Sequence, residues 1–170
     1  YLDVTASAVN IYVSSDAALN VHNISTQAAT SNTVDIRDTG NKPIDLLASG
    51  TYTNVAGGGT AADGDAINIV TTGGTSGTVT FNKALTAQSI DVNATGAVTV
   101  NQALATSNVD ASAVAATSAT TGGITIVAAG AVSGTGTLTT GNATASGTGG
   151  DTTATSGAIS VTGTGANVQL

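Results

Sequence analysis

The chain has no cysteine, methionine, tryptophan or glutamate, one proline (Pro43) and one histidine (His22). Without cysteine there are no disulfide staples and no thiolate metal sites, although this does not fix the compartment. Only three cations, Arg37, Lys42 and Lys83, stand against ten aspartates, for a net charge of −7. So few positive charges cannot neutralise a phosphate backbone, which excludes nucleic acid as a partner. No run of eighteen apolar residues exists to span a membrane as a helix, and no basic amphipathic stretch suggests one lying on its surface. Four aromatics, Tyr1, Tyr12, Tyr52 and Phe81, are too few for a sugar-stacking platform. The strong helix formers Glu, Met, Lys and Leu are absent or scarce, so an all-α fold is excluded. The chain begins at Tyr1 with neither Met nor a charged-then-apolar leader, and is expected to be a processed product or a fragment.

What remains is small. Thr, Ala, Gly and Ser number 32, 30, 22 and 15, or 99 of 170 residues. Leu, Ile, Val and Phe together make 36 of 170, or 21%, just above the ~20% typical of disordered chains. Disorder normally accompanies high charge, and here only 8% of residues are charged. The composition therefore points to a β protein with a lean core, of a length that suits one domain.

An internal repeat carries most of the information. Gly77-Thr78-Val79-Thr80-Phe81-Asn82-Lys83-Ala84-Leu85 aligns with Gly96-Ala97-Val98-Thr99-Val100-Asn101-Gln102-Ala103-Leu104 at an offset of 19 residues. Over nineteen aligned positions eight are identical, the last two being Asp91 with Asp110 and Ala94 with Ala113. Each unit holds two short alternating segments, and period two marks a strand with one buried face. Val79 and Phe81 should point inward, as should Ile90 and Val92, with Thr80 and Asp91 outward.

The first segment recurs loosely at Gly50-Thr51-Tyr52-Thr53, Gly123-Ile124-Thr125-Ile126 and Gly157-Ala158-Ile159-Ser160-Val161. Candidate second segments are Ile67-Asn68-Ile69, Leu138-Thr139 and Val168-Gln169-Leu170. Their spacing varies, which calls for insertions near residues 57–65, 113–121 and 141–156. A 19-residue unit is too short for a strand and helix, which need ~30 residues. It suits one coil of a parallel β-solenoid whose neighbouring strands lie ~4.8 Å apart. Stacked Asn82 and Asn101 would then either form an amide ladder or simply tolerate a corner.

With its Gly-Ala-Val-Thr-Val and Gly-Gly-Ile-Thr-Ile strands, the unit resembles the repeats of filamentous haemagglutinin-type bacterial adhesins, roughly over residues 50–170. The resemblance implies a secreted bacterial protein whose passenger region is a right-handed parallel β-helix. The expected fold is thus all-β: a right-handed parallel β-helix (β-solenoid) of six or seven ~19-residue coils with loop insertions. Residues 1–170 form a single domain, with 1–49 a less regular N-terminal part and 50–170 the repeat region.

Candidate chemistry is sparse. His22, beside Val21 and Asn23, reads as an ordinary strand or turn residue rather than a catalytic base. Asp91 and Asp110 occupy equivalent repeat positions, so their carboxylates would stand ~5 Å apart on the outer face. Like charges that close repel unless a proton is retained or a cation bridges them. Asp63-Gly64-Asp65 adds a second acidic pair, and calcium prefers such oxygen ligands. Bound calcium and plain solvated carboxylates are the two readings. No other cofactor is expected.

The expected function is non-catalytic: a structural or adhesive module of a secreted bacterial cell-surface protein, with a host or matrix surface as partner. The alternative is a self-assembling subunit of an extracellular filament, sheath or surface layer. Its solenoid ends would pair with copies of itself or with flanking coils of a longer chain. Such heterologous contacts do not close, and give fibres.

Overall fold

The computed structural model describes residues 1–5, 10–26, 31–53, 65–110, 118–146, 152–165 and 167–170. In chain order the strands are β1 (Leu2–Thr5), β2 (Ile11–Ser15), β3 (Leu19–Ser25), β4 (Thr33–Asp38), β5 (Ile44–Thr53), β6 (Ala66–Thr71) and β7 (Val79–Phe81). There follow β8 (Leu85–Ala87), β9 (Ser89–Ala94), β10 (Val98–Val100), β11 (Leu104–Thr106), β12 (Val109–Asp110), β13 (Ser118–Thr120) and β14 (Ile124–Ala128). The last six are β15 (Val132–Gly134), β16 (Leu138–Thr139), β17 (Ala143–Thr144), β18 (Thr153–Thr155), β19 (Ile159–Gly163) and β20 (Val168–Gln169). The protein is all-β, with no helix among the described residues.

Two large sheets organise the chain. One runs β1-β3-β5-β7-β10-β15-β20 and the other β2-β4-β6-β9-β14-β19. Three smaller ones are β8-β11-β16, β12-β17 and β13-β18. Among the described residues every pairing is parallel, so the chain leaves each large sheet and returns one strand further along on each circuit. β1–β5 belong to the same two large sheets as the later circuits, although β1–β3 and β3–β5 carry register shifts.

The repeat is visible where it is shortest. Val98 faces Val79 across β10 and β7, and Leu104 faces Leu85 across β11 and β8. Asn101 Nδ2 donates to Asn82 Oδ1 at 2.8 Å, so the amides do form a ladder, of two rungs. Elsewhere the circuit lengthens. Ile90 faces not Val109 but Ile124, 34 residues on, and Val132 faces Val168, 36 residues on.

This corrects four expectations. Leu138–Thr139 lies beside Leu104 in the small β8-β11-β16 sheet, not in the sheet of Ile67 and Ile90. Ile124–Ile126 and Ile159–Val161 lie in the sheet of Ile67 and Ile90, not in that of Val79. Val168–Gln169 lies in the sheet of Val79 and Val98. Asp110 faces Thr144, whereas Asp91 sits between Asn68 and Thr125, so the two carboxylates are not neighbours. The reason is a difference in chain length. One residue, Gln88, separates β8 from β9, but β11 is followed by β12 and β13 before β14 re-enters the sheet.

Alternation places the core. β6 and β9 bury every second residue, and β7 buries Val79 and Phe81 on either side of half-buried Thr80. The inward residues stack in rows through the circuits: Val34, Ile67, Ile90 and Ile124 in one wall, and Ile44, Val79, Val98 and Val132 in another. Leu85 and Leu104 supply a third wall, and all join one apolar cluster. Small outward residues cost little there, because the buried rows supply the apolar area that drives folding. Circuits press together closely at the corners. Gly134, at φ +144°, is one point where a Cβ would collide with a backbone carbonyl oxygen, that of Val100.

Candidate functional site

Tyr1, Asp3, His22 and Ser49 converge on one recess at the β1 end. β3 buries Val21 and Ile24 with two residues between them instead of one, because His22 is a bulge residue. Leu2 faces Val21 and Asp3 faces Asn23, so no β1 residue stands opposite His22 in the strand register. On β5, the partner of Val21 is Leu46 and that of Asn23 is Thr51, which leaves Leu47–Gly50 opposite His22. A bulge of this kind re-aims a side chain out of the pleat. Gly50 is buried in contact with it, and a Cβ there would lie 2.5 Å from the His22 carbonyl oxygen. Only glycine permits that approach.

The re-aimed imidazole meets Asp3. His22 Nδ1 lies 2.9 Å from Asp3 Oδ1, and Asn23 Nδ2 donates to the same oxygen at 2.7 Å. Asn23 Nδ2 is also 3.0 Å from His22 Nδ1. A carboxylate oxygen only accepts, so the consistent assignment has Nδ1–H and the Asn23 amide both donating to Asp3. Nε2 is then the nitrogen left as a base or ligand. The Tyr1 ring lies 5.8 Å from the imidazole at 59°, and a recess of about 240 Å³ is lined by Tyr1, Asp3, His22 and Ser49.

Chemically this is one oriented imidazole with one carboxylate, a serine hydroxyl and a phenol, open to solvent: the side chains of His22 and Asp3 are 33% and 59% accessible. Zinc sites take three or four protein ligands. No group of three or more His, Cys, Asp or Glu positioned for a metal occurs among the described residues. What the pair does directly is tie β1 onto β3. The signal was present in the sequence, since Asp3 and His22 are 19 residues apart, the same spacing that sets Val98 on Val79.

The acidic candidates fall in separate places. Asp91 is exposed on the outer face of β9 and Asp110 is exposed on β12. Asp63 lies outside the described residues. Asp65 is fully buried just before β6, where Oδ1 accepts from the Asn32 backbone N–H at 2.9 Å and Oδ2 has no protein partner. Asp38, which the sequence did not single out, is its counterpart at the end of β4. Its Oδ1 accepts from the Lys42 N–H at 2.6 Å, and its Oδ2 is buried without a partner. Of the cations, Arg37 makes a bidentate pair with buried Asp35, Nε to Oδ1 at 2.7 Å and Nη2 to Oδ2 at 2.8 Å. The hydrogen bonds and the charge of Asp35 raise the guanidinium pKa further above its ordinary value. Tyr52, half-buried against the core, has a phenol pushed up to about 12 by burial.

Comparison of the chain with protein-family models, curated proteins and solved structures found no match.

Proposed function

We propose that the chain is a right-handed parallel β-solenoid serving as a non-catalytic structural or adhesive module of a secreted bacterial cell-surface protein. The observation that carries this reading is the all-parallel return of the chain to two stacked sheets around one apolar cluster. Such a stack is a rod whose length grows with the number of circuits and whose core is indifferent to what its loops display. Right-handedness is favoured because parallel strands joined by crossovers are right-handed in nearly all cases. The adhesin resemblance of residues 50–170 supplies the extracellular setting.

Presenting the isolated chain to arrayed glycans, matrix proteins and host cells tests adhesion, with saturable binding as the expected result. A dedicated enzyme is the contrary outcome: turnover of a polysaccharide or ester that disappears in His22→Ala would overturn the non-catalytic reading.

A further inference from the structure

Asp3, His22 and Ser49 stand on three neighbouring strands, and each brings an unused acceptor to the recess they line with Tyr1. Leu2 packs against the core and Asp3 follows it, so the recess opens on the outer face of the sheet and not along the β1 edge. Asp3 Oδ1 is taken by His22 Nδ1 and Asn23 Nδ2, which leaves Oδ2. With Nδ1–H donated to Asp3, the imidazole offers Nε2 as an acceptor. Ser49 is exposed and supplies a hydroxyl. None of these three atoms has a hydrogen-bond partner among the described residues. The wall around them carries one sign of charge. On β1, β3, β5, β7, β10, β15 and β20 the formally charged side chains are Asp3 and Asp45, in a chain of net charge −7.

We propose that this recess binds a primary ammonium group, that of a lysine side chain on a partner protein. An ammonium presents three N–H donors around a compact point charge, and Oδ2, Nε2 and Oγ are three acceptors. The Tyr1 ring, 5.8 Å from the imidazole, adds an aromatic face of the kind that attracts cations. A guanidinium fits less well. Its planar fork takes both oxygens of a carboxylate, as Arg37 does with Asp35, and Asp3 has one oxygen to give. A divalent metal ion takes three or more protein ligands or a shell of oxygens, for which one carboxylate and one imidazole are too few. At about 240 Å³ the recess is smaller than the ~300–1,000 Å³ of sites that enclose a drug-sized ligand. It therefore receives the head of a side chain. The proposal rests on the adhesive reading above, and names the partner as a lysine-bearing protein surface.

The probe is Nα-acetyl-lysine amide, titrated into the isotope-labelled chain and followed by backbone amide chemical shifts. Saturable shifts are expected at Asp3, His22, Asn23, Ser49 and Gly50, weaker with the arginine counterpart and absent with the Nε-acetylated form. Asp3→Asn should weaken binding about fivefold, the scale of an exposed ion pair. Asp45→Asn removes the same charge from the same wall outside the recess, and should weaken it less than about twofold. Ser49→Lys, at an exposed position, supplies an ammonium to the recess from the chain itself and should abolish the response while the remaining spectrum is unchanged. That variant decides the matter where Asp3→Asn loosens β1. Equal losses in Asp3→Asn and Asp45→Asn overturn the proposal in favour of diffuse attraction by the wall. Shifts of the same residues by a neutral hexose, and not by the lysine probe, overturn it in favour of a glycan. No lysine response beside saturable binding to matrix proteins removes the site and leaves the adhesive reading. A lysine response without binding to any surface does the reverse.

Discussion

Phe81 is the one aromatic ring in the described core, and it offers a quantitative test of how the circuits stack. It is fully buried on β7, facing Leu46 of the preceding circuit and Val100 of the following one. Phe81→Ala removes the ring from a row whose members are held by backbone ladders above and below, so the neighbours cannot close the gap. Truncation of a buried phenylalanine with little relaxation costs about 3–5 kcal/mol. That is a large share of the ~5–15 kcal/mol that holds a domain together. At a urea slope of about 1–3 kcal/mol per M, the midpoint should fall by at least ~1 M. The chain has no tryptophan, so urea unfolding is best followed by circular dichroism. Phe81→Leu, which keeps most of the volume, should cost less than ~1.5 kcal/mol. Tyr12→Ala, at a ring 70% exposed, should lie within ~0.5 kcal/mol of the parent. A Phe81→Ala loss below ~1 kcal/mol, or one equal to that of Tyr12→Ala, would refute the placement of Phe81 between Leu46 and Val100.

Asn101→Ala, which removes the donor to Asn82, should destabilise by ~0.5–1.5 kcal/mol in the same assay. Gly134→Ala should cost at least ~2 kcal/mol, from its φ of +144° and the collision with the Val100 carbonyl. Of the three tyrosines, one should ionise near pH 12 and vanish from the ultraviolet titration in Tyr52→Phe. Because the folded-state pKa of Tyr52 lies above its ordinary 10, its contribution to stability is fully present below pH 10 and is lost as pH rises towards 12. A Tyr52→Phe variant should therefore lose less stability over that window than the parent.

How much of this was legible in the sequence depended on circuit length. Where two circuits differ by nothing but substitutions, as at Val79/Val98 and Leu85/Leu104, spacing and period two lead directly to the facing pairs, while for Asn82/Asn101 they left two readings, of which the structure shows the amide ladder. The reading failed one step later. Apolar-Asp-apolar describes any half-buried strand, so Ile90-Asp91-Val92 and Val109-Asp110-Ala111 looked equivalent although β12 belongs to a side sheet with β17. Nothing local marks that difference, which is set by the extra chain before β14. The Asp3–His22 contact was missed for the opposite reason. Its 19-residue spacing was regular, but the neighbouring side chains share too little identity to reveal it. The bulge that turns His22 outward also depends on the length of Leu47–Gly50 on the adjacent strand, which β3 alone does not encode.

The strand beside β9 decides the register of the longer circuits. Residues facing each other on neighbouring parallel strands have Cα atoms ~4.8 Å apart, inside the ~4.4–6.8 Å window for a disulfide. Asp91 faces Thr125 on β14, and Asp110 faces Thr144 on β17. In a dilute, cysteine-free background, Asp91→Cys with Thr125→Cys should oxidise to an unstrained intramolecular disulfide, while Asp91→Cys with Asp110→Cys should remain reduced. Ready closure of the 91–110 pair together with failure of the 91–125 pair would contradict the variable-circuit register and restore a uniform 19-residue coil.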